Sequence, residues 1–128
     1  MAYAEAMRQL ESLDSRSGSR LADKVQRVLR QLFTTGDLDA THREGLARLF
    51  AIHPRTLNRR LRSEGTSFDA LLTTTRYEIA RHLLRDTGLP TIEIARRLGY
   101  SDSAAFGHAF RRWSGTTATA WRSNHAPT

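Results

Sequence analysis

The chain has 128 residues, no cysteine and a formal net charge of +7 at pH 7. This length suits one domain or two very small ones, and the lack of cysteine excludes disulfides and thiolate metal sites. No apolar run is long enough to span a membrane, and the first residues lack the pattern of a secretory leader. We therefore expect a cytoplasmic protein that binds no membrane.

The positive charge comes almost entirely from arginine, because only Lys24 among the twenty basic residues is a lysine. Such an excess predicts an acidic partner. A planar guanidinium group can bind a phosphate or a guanine edge through two hydrogen bonds, whereas lysine offers a point charge. A coding bias toward arginine would also explain the ratio, but it would not explain where the arginines cluster.

Residues 1–20 combine a weak helical pattern with "DSRSGSR", which has the composition of a flexible connector. We interpret them as a linker or as the remnant of a missing effector domain. From Leu21 the apolar residues follow the spacing of an amphipathic helix that stops near Gly36. Thr41 and Glu44 have the form of a capping box, which predicts a second, short helix.

Pro54 suits the first turn of a third helix, in which Leu57 and Leu61 form the core stripe. A longer helix with one apolar side is predicted over residues 67–86. Three short helices follow, the middle one carrying Phe106 and Phe110 four positions apart and the last one centred on "TATAWR". No segment alternates as a strand does, so the sequence predicts an all-α fold with seven helices from Leu21 onward.

Two stretches of the chain repeat each other. Each predicts a short helix, a tight turn and a second helix, which is the layout of a helix-turn-helix unit. We place the first unit at 21–66, a long linker helix at 67–87, the second unit at 88–122 and a tail at 123–128. The matching pairs are Leu46 and Ile94, Ala47 and Ala95, Phe50 and Leu98, Ala51 and Gly99, Ile52 and Tyr100, Leu57 and Phe106, and Leu61 and Phe110.

The second helix of such a unit enters the major groove of DNA, and its outward side chains meet base edges. Burial of Leu57 and Leu61 leaves an outward set of five residues. Between Arg43 and Arg62 the chain has six arginines and one acid, Glu44, so the excess charge lies where phosphate would be. The predicted DNA-binding residues of the first unit are Arg55, Thr56, Asn58, Arg59 and Arg62.

The sequence resembles the AraC/XylS family of transcription regulators over roughly residues 21–122. The resemblance is carried by "HPRTLNRRLRSEGTSF", by the spacing of residues 76, 80, 83 and 84, and above all by "IARRLGYSDSAAFGHAFRRWSG". It implies a DNA-binding domain of two homeodomain-like helix-turn-helix units joined by a long helix. It also implies two recognition helices in successive major grooves of a promoter operator, contact with RNA polymerase, and a small-molecule effector acting only through a missing N-terminal domain. A small stand-alone regulator is the other architecture that the family allows.

The resemblance places base-facing sites at Arg55, Asn58 and Arg59 in the first unit and at Ser103, Ala104 and His108 in the second. Small residues stand in the second recognition helix where longer polar side chains are common in the family. We therefore predict that the first unit carries most of the base discrimination. The second unit is predicted to position the domain through phosphates near Arg111 and Arg112.

Three further departures from the family pattern concern helix ends and turns. Ala51 stands in place of the usual turn glycine, at an expected left-handed position. His53 replaces the usual serine cap, and Pro90 sits where a serine-type cap would open a helix. We expect these changes to affect local stability rather than DNA recognition.

Other kinds of function have less support. The aromatic residues Phe106, Phe110 and Trp113 could stack on single-stranded nucleic acid, but their spacing is typical of a helical core. The five histidines are too scattered for a metal site, and no catalytic motif or cofactor motif occurs, so we expect no metal, no cofactor and no enzyme activity. The alternative from another class is a basic helical adaptor that binds RNA or protein without DNA sequence specificity.

Overall fold

The computed structural model describes residues 20–125, and this part of the chain contains seven α-helices, one short 3-10 helix and no strand. The connector predicted over residues 1–20 lies, except for Arg20, outside the described residues. No described helix is both long and apolar enough to cross a membrane. The all-α fold is confirmed. The helices are α1 (Leu21–Thr35), α2 (Arg43–Leu49), α3 (Pro54–Ser63), α4 (Phe68–Asp86), α5 (Thr91–Arg97), α6 (Ser103–Ser114) and α7 (Ala118–His125), with the 3-10 helix at Leu38–Ala40.

The described residues divide into two compact units, the first ending at Thr75 and the second beginning at Arg76, with the boundary inside α4. In the first unit, α1 turns its apolar stripe inward, so that Val25, Leu29 and Leu32 are completely buried. They pack in one core with buried residues of α2 and α3, among them Leu46 and Leu57. This burial fixes α3 against the rest of the unit and leaves its other face open.

Glu64, which follows α3, also holds the start of α1. Its carboxylate accepts hydrogen bonds from the backbone N–H groups of Leu21 at 3.1 Å and Ala22 at 2.8 Å. Arg20 donates to the Glu64 carbonyl, and its Nε lies 3.5 Å from the Glu64 carboxylate. Since the first N–H groups of a helix have no partner inside the helix, a carboxylate there stabilises it. The start of α1 is thereby joined to the residue that follows α3.

The turns of the two helix-turn-helix units have the same backbone geometry. Ala51 has φ 57° and Gly99, its counterpart, has φ 88°, so both are left-handed. In each copy the N–H of the next residue donates to the carbonyl five positions earlier, at 3.0 Å in the first unit and 2.9 Å in the second. This is the hydrogen bond of a Schellman helix end. The repeat and the left-handed conformation of Ala51 are confirmed.

The predicted capping box at α2 is wrong. The N-cap is His42, whose Nδ1 accepts the Gly45 N–H at 3.0 Å, while the Thr41 hydroxyl donates to the Leu38 carbonyl at 2.7 Å. The 3-10 turn at residues 38–40 moves the start of α2 one position beyond Thr41, which places an imidazole rather than a hydroxyl at the cap. Glu44 instead lies beside the ring, with Oε2 3.3 Å from His42 Nδ1.

The second unit is built around aromatic side chains. Phe106 and Phe110 of α6 are completely buried, with ring centroids 5.8 Å apart, and Phe110 meets Trp121 of α7 edge to face at 6.0 Å. Tyr77 of α4 packs on Phe110 at 5.7 Å. Such ring pairs contribute beyond their buried area. The prediction that Phe106 and Phe110 form a core is confirmed, whereas Trp113, the third aromatic residue of that prediction, is half-buried and packs its ring against Tyr77 and Phe110.

Arg122 of α7 ties the last helix to the end of α4. Its Nε donates to the Leu84 carbonyl at 2.9 Å, and its Nη2 donates to the carbonyls of Leu83 and Thr87, each at 3.4 Å. The last carbonyls of a helix have no partner inside the helix, so a guanidinium can satisfy several of them at once. α7 itself continues to His125, three residues beyond the predicted end of the last helix.

Candidate nucleic-acid interface

Helix α3 is held rigidly in its unit at its N-terminus and along one face. His53 is the N-cap, and its Nδ1 accepts the Arg55 N–H at 3.0 Å. Pro54 occupies the first helical position, where a missing N–H costs nothing. Leu57 and Leu61 are completely buried. The histidine found at the usual serine position therefore performs the same capping role.

The opposite face of α3 carries the predicted DNA-binding side chains. Arg55, Arg59 and Arg62 are exposed, whereas Thr56 and Asn58 are half-buried. Arg60 is exposed as well, although it was not among the predicted site residues. Burial of the leucine stripe leaves these positions facing away from the core.

The exposed arginines of α3 have no acidic partner in residues 20–125. None of Arg55, Arg59, Arg60 and Arg62 takes part in an ion pair or a side-chain hydrogen bond there, and the last turn of the helix adds no acid before Glu64. A guanidinium without a carboxylate partner keeps all five donors for a ligand. The helix is therefore suited to bind phosphates or the acceptor atoms of guanine.

A further basic residue, Arg43 at the start of α2, lies near this helix. Arg43, Asn58 and Arg62 line one small concavity together with residues at the start of α4. The sequence places Arg43 in the arginine-rich stretch, but no spacing rule relates it to a residue on another helix. Only the packing of α2 against α3 brings the two guanidinium groups to the same concavity.

Helix α6 of the second unit carries fewer charged side chains than α3. Asp102 is its N-cap and accepts the Ala105 N–H at 2.7 Å. The predicted site residues Ser103, Ala104 and His108 are all exposed on it, and at its C-terminal end so are Arg111 and Arg112. The arginines stand in the last turns of the helix, away from the small side chains at its start.

Gly107, also on α6, opens this surface further. A Cβ added there would meet no atom within 4 Å. Together with Ala104 and Ser103, it leaves the first half of α6 with short side chains and few hydrogen-bonding groups. This helix has fewer means of reading base edges than α3 has.

Two arginines of the second unit are bound by an acid on their own helix. Glu93 accepts hydrogen bonds from Arg96 Nε at 3.1 Å and from Arg97 Nε at 3.2 Å. These bonds, chiefly the one from Arg96, hold the pKa of the Glu93 carboxyl below its usual value. Arg48, the counterpart of Arg96 in the first unit, has no such partner among the described residues. Within residues 20–125, the arginines of α2 and α3 are therefore unpaired, whereas the two arginines of α5 share one carboxylate.

Comparisons with known proteins agree with this architecture. A sequence profile described as a helix-turn-helix domain matches residues 46–124. The transcriptional regulator VirS of Mycobacterium tuberculosis is 37% identical over 117 residues, which is 91% of this chain and 34% of VirS. The chain spans 19% to 34% of the length of curated relatives that it matches.

Solved structures give the same result. The C-terminal domain of AraT, a response regulator of Geobacillus stearothermophilus, superposes with a TM-score of 0.73 and is 32% identical, over 86% of this chain and 89% of that domain. The DNA-binding domain of AdpA, solved with a target DNA, superposes with a TM-score of 0.64 at 26% identity, over 83% of this chain and 93% of that domain.

The sequence motifs, the doubled helix-turn-helix geometry and these likenesses agree along most of the chain. The profile match covers more than half of it, and the chain spans nearly all of the AraT domain. The chain therefore belongs to the AraC/XylS family of helix-turn-helix transcription regulators, of which it represents the DNA-binding domain.

Proposed function

We propose that this domain recognises an asymmetric duplex operator with two unequal helices, α3 reading bases and α6 mainly positioning the domain. The observation that carries the proposal is the difference between the two helices. α3 presents Arg55 and Arg59, which are exposed and have no acidic partner within residues 20–125, whereas α6 presents Ser103, Ala104 and His108. A good bidentate contact is worth about 1–3 kcal/mol of discrimination, which alanine can approach only by touching a thymine methyl group.

Electrostatic attraction supplies the remaining affinity in this proposal. Arg111 and Arg112 at the end of α6 bind phosphates, which carry no sequence information but fix the register of the domain on the duplex. If six to ten phosphates are contacted, affinity falls by roughly 10³–10⁵ between 50 and 200 mM salt. Both recognition helices then lie in successive major grooves, with binding half-sites about ten base pairs apart.

The test is an in vitro selection from random duplex DNA at physiological salt with the wild type, Arg59→Ala and the matched control Arg60→Ala. Both variants remove one exposed arginine from α3, so they change the net charge equally. We expect an asymmetric motif with one strong and one weak half. Arg59→Ala relaxes the strong half, whereas Arg60→Ala keeps the motif with weaker binding overall.

The opposite outcome would favour another class of function. If no motif emerges and all three proteins bind every duplex alike, the domain is a basic helical adaptor for RNA or protein. Binding to RNA of unrelated sequence with equal affinity would point the same way, since shape and charge alone would then decide recognition.

We further propose that the domain regulates transcription in the cytoplasm by recruiting or repositioning RNA polymerase, without catalytic activity of its own. Membership of a family of transcription regulators supports this role. Transcription in vitro from a template carrying the selected motif tests it: added domain should change the transcript yield, and scrambling the motif should abolish the change. An effector molecule, where one is used, binds to a part of the regulator outside residues 20–125. Full-length protein isolated from its native source should then have a larger mass than this chain.

A further inference from the structure

A small concavity lies beside the reading helix in the first unit. It has a volume of about 110 Å³ and receives side chains from three helices. This volume is several times the roughly 30 Å³ that one water molecule occupies, and it is well below the ~300 Å³ at which ligand pockets begin. The space therefore suits a tetrahedral oxyanion better than a nucleobase or a metabolite. Its lining residues are Arg43, Asn58, Arg62, Ser67, Phe68 and Asp69.

The polar groups around this concavity are available to a ligand. Arg43 and Arg62 are exposed, and neither has an ion pair or a side-chain hydrogen bond within residues 20–125. The half-buried Asn58 amide is equally free there. The Ser67 hydroxyl oxygen accepts the Ala70 N–H at 3.1 Å, which leaves its proton free to be donated. Two cations and two neutral donors thus surround the space.

Asp69 is the one acid among the lining residues. It stands in the first turn of α4, is exposed, and forms no ion pair with either guanidinium. The two arginines therefore outnumber it, and neither is neutralised by direct contact. Its carboxylate opposes the binding of an anion, so its removal is expected to strengthen binding.

We propose that this concavity, the phosphate seat, holds one backbone phosphate of the operator between Arg43 and Arg62. Two guanidinium groups from different helices converge on one phosphoryl group, to which each can offer paired N–H donors. The seat lies against α3, so that phosphate fixes the depth and register of the reading helix. Arg43 thereby becomes a DNA-contacting residue, and Arg62 becomes a positioning residue rather than a base reader. This assignment rests on the proposed function.

The salt dependence of operator binding tests the seat, because its slope counts the phosphates that a protein neutralises. In the double variant Arg43→Ala/Arg62→Ala, the slope of log K against log salt should fall by about one, since one phosphate is lost. The affinity ratio between 50 and 200 mM salt then shrinks about threefold. The base preference in the selected motif should stay unchanged. A loss of two in the slope, which would mean two separate phosphates, or no loss at all would overturn the proposal.

The matched control is the double variant Arg85→Ala/Arg97→Ala. These arginines are exposed and ion-paired to Asp86 and Glu93, so the control removes the same net charge from side chains that already have a carboxylate partner. Its slope should equal that of the wild type. Asp69→Asn should bind the operator more tightly than the wild type, and weaker binding by this variant would contradict the seat.

Two further experiments distinguish a DNA phosphate from a free anion as the ligand of the seat. A methylphosphonate is placed at each operator phosphate in turn, which removes that negative charge. On the operator that carries the methylphosphonate at one particular position, the wild type should bind no more tightly than Arg43→Ala/Arg62→Ala binds. If no position has this effect, but inorganic phosphate shifts the amide resonances of Asn58 and Ser67 without DNA, the seat is a free-anion site and the DNA assignment is wrong. If the wild type shows no operator preference, the proposed function fails, and the inorganic phosphate titration still reports on the seat.

Discussion

Ala51 has a strained backbone conformation, and a single substitution should relieve that strain. Its backbone has φ 57°, in the left-handed region, where a Cβ meets the following carbonyl oxygen. The matching position of the second unit is Gly99, with φ 88°. Replacing Ala51 with glycine is therefore expected to stabilise the first unit without touching α3.

The magnitude follows from two opposing terms. An L-residue in the left-handed conformation costs about 1–2 kcal/mol, which glycine does not incur. Glycine itself lowers the free energy of unfolding by about 0.5–1 kcal/mol, because it has more conformational freedom in the unfolded chain. The net gain in the free energy of unfolding is about 0.5–1 kcal/mol, or a rise in the melting temperature of roughly 2–8 °C for a domain of this size.

The control is the same chemical change at a helical position. Ala70 is exposed in the first turns of α4 within the first unit, and its conversion to glycine should lose about 0.5–1 kcal/mol. The free energy of unfolding of both variants is obtained by linear extrapolation from urea unfolding curves recorded by circular dichroism. If Ala51→Gly destabilises the domain as much as Ala70→Gly does, the assigned strain at Ala51 does not exist.

Three more predictions test other contacts. Arg122→Ala removes hydrogen bonds to three backbone carbonyls at the end of α4, so the free energy of unfolding in urea should fall by about 1–3 kcal/mol. The exposed Ser123→Ala is the control, and an unchanged urea midpoint for Arg122→Ala would refute the prediction. The pKa of Glu93 is lowered by its arginine partners, so its ion pairs add stability above its unfolded pKa and lose it as the pH falls through the folded pKa. The stability difference between the wild type and Glu93→Gln should therefore vanish in acid, and parallel pH profiles would contradict the pairing. Gly107→Ala should gain about 0.5–1 kcal/mol in thermal unfolding, because its Cβ has open space within a helix, and a loss would disprove that.

Features with a short sequence period could be predicted well. The apolar stripe of α1 and the Leu57–Leu61 pair follow the helical period, because side chains three or four positions apart lie on one face. The left-handed turn at Ala51 could be found by matching the two copies of the repeat, since its counterpart is a glycine. The outward face of α3 followed directly, because burial of two leucines determines which neighbouring residues remain exposed.

Features that join distant parts of the chain could not be predicted in this way. Glu64 caps α1 from 43 positions away, and Arg122 reaches the carbonyl of Leu84 across 38 positions. No spacing rule in the sequence encodes such contacts. A local feature also differs from the prediction, since the cap of α2 is His42 rather than Thr41, with a 3-10 turn at residues 38–40 just before it.

The sequence by itself determined the all-α class, the doubled helix-turn-helix plan and the arginine-rich face of α3, since each depends on periodicity, turn residues and composition within a few turns of the chain. Only the tertiary structure decided which arginines remain free and which are neutralised, as at Glu93. It also decided that Arg43 and Arg62 share one concavity. The physical reason is that the direction and partner of a long, flexible side chain depend on how helices pack, and that packing is set by the whole core rather than by neighbours in sequence.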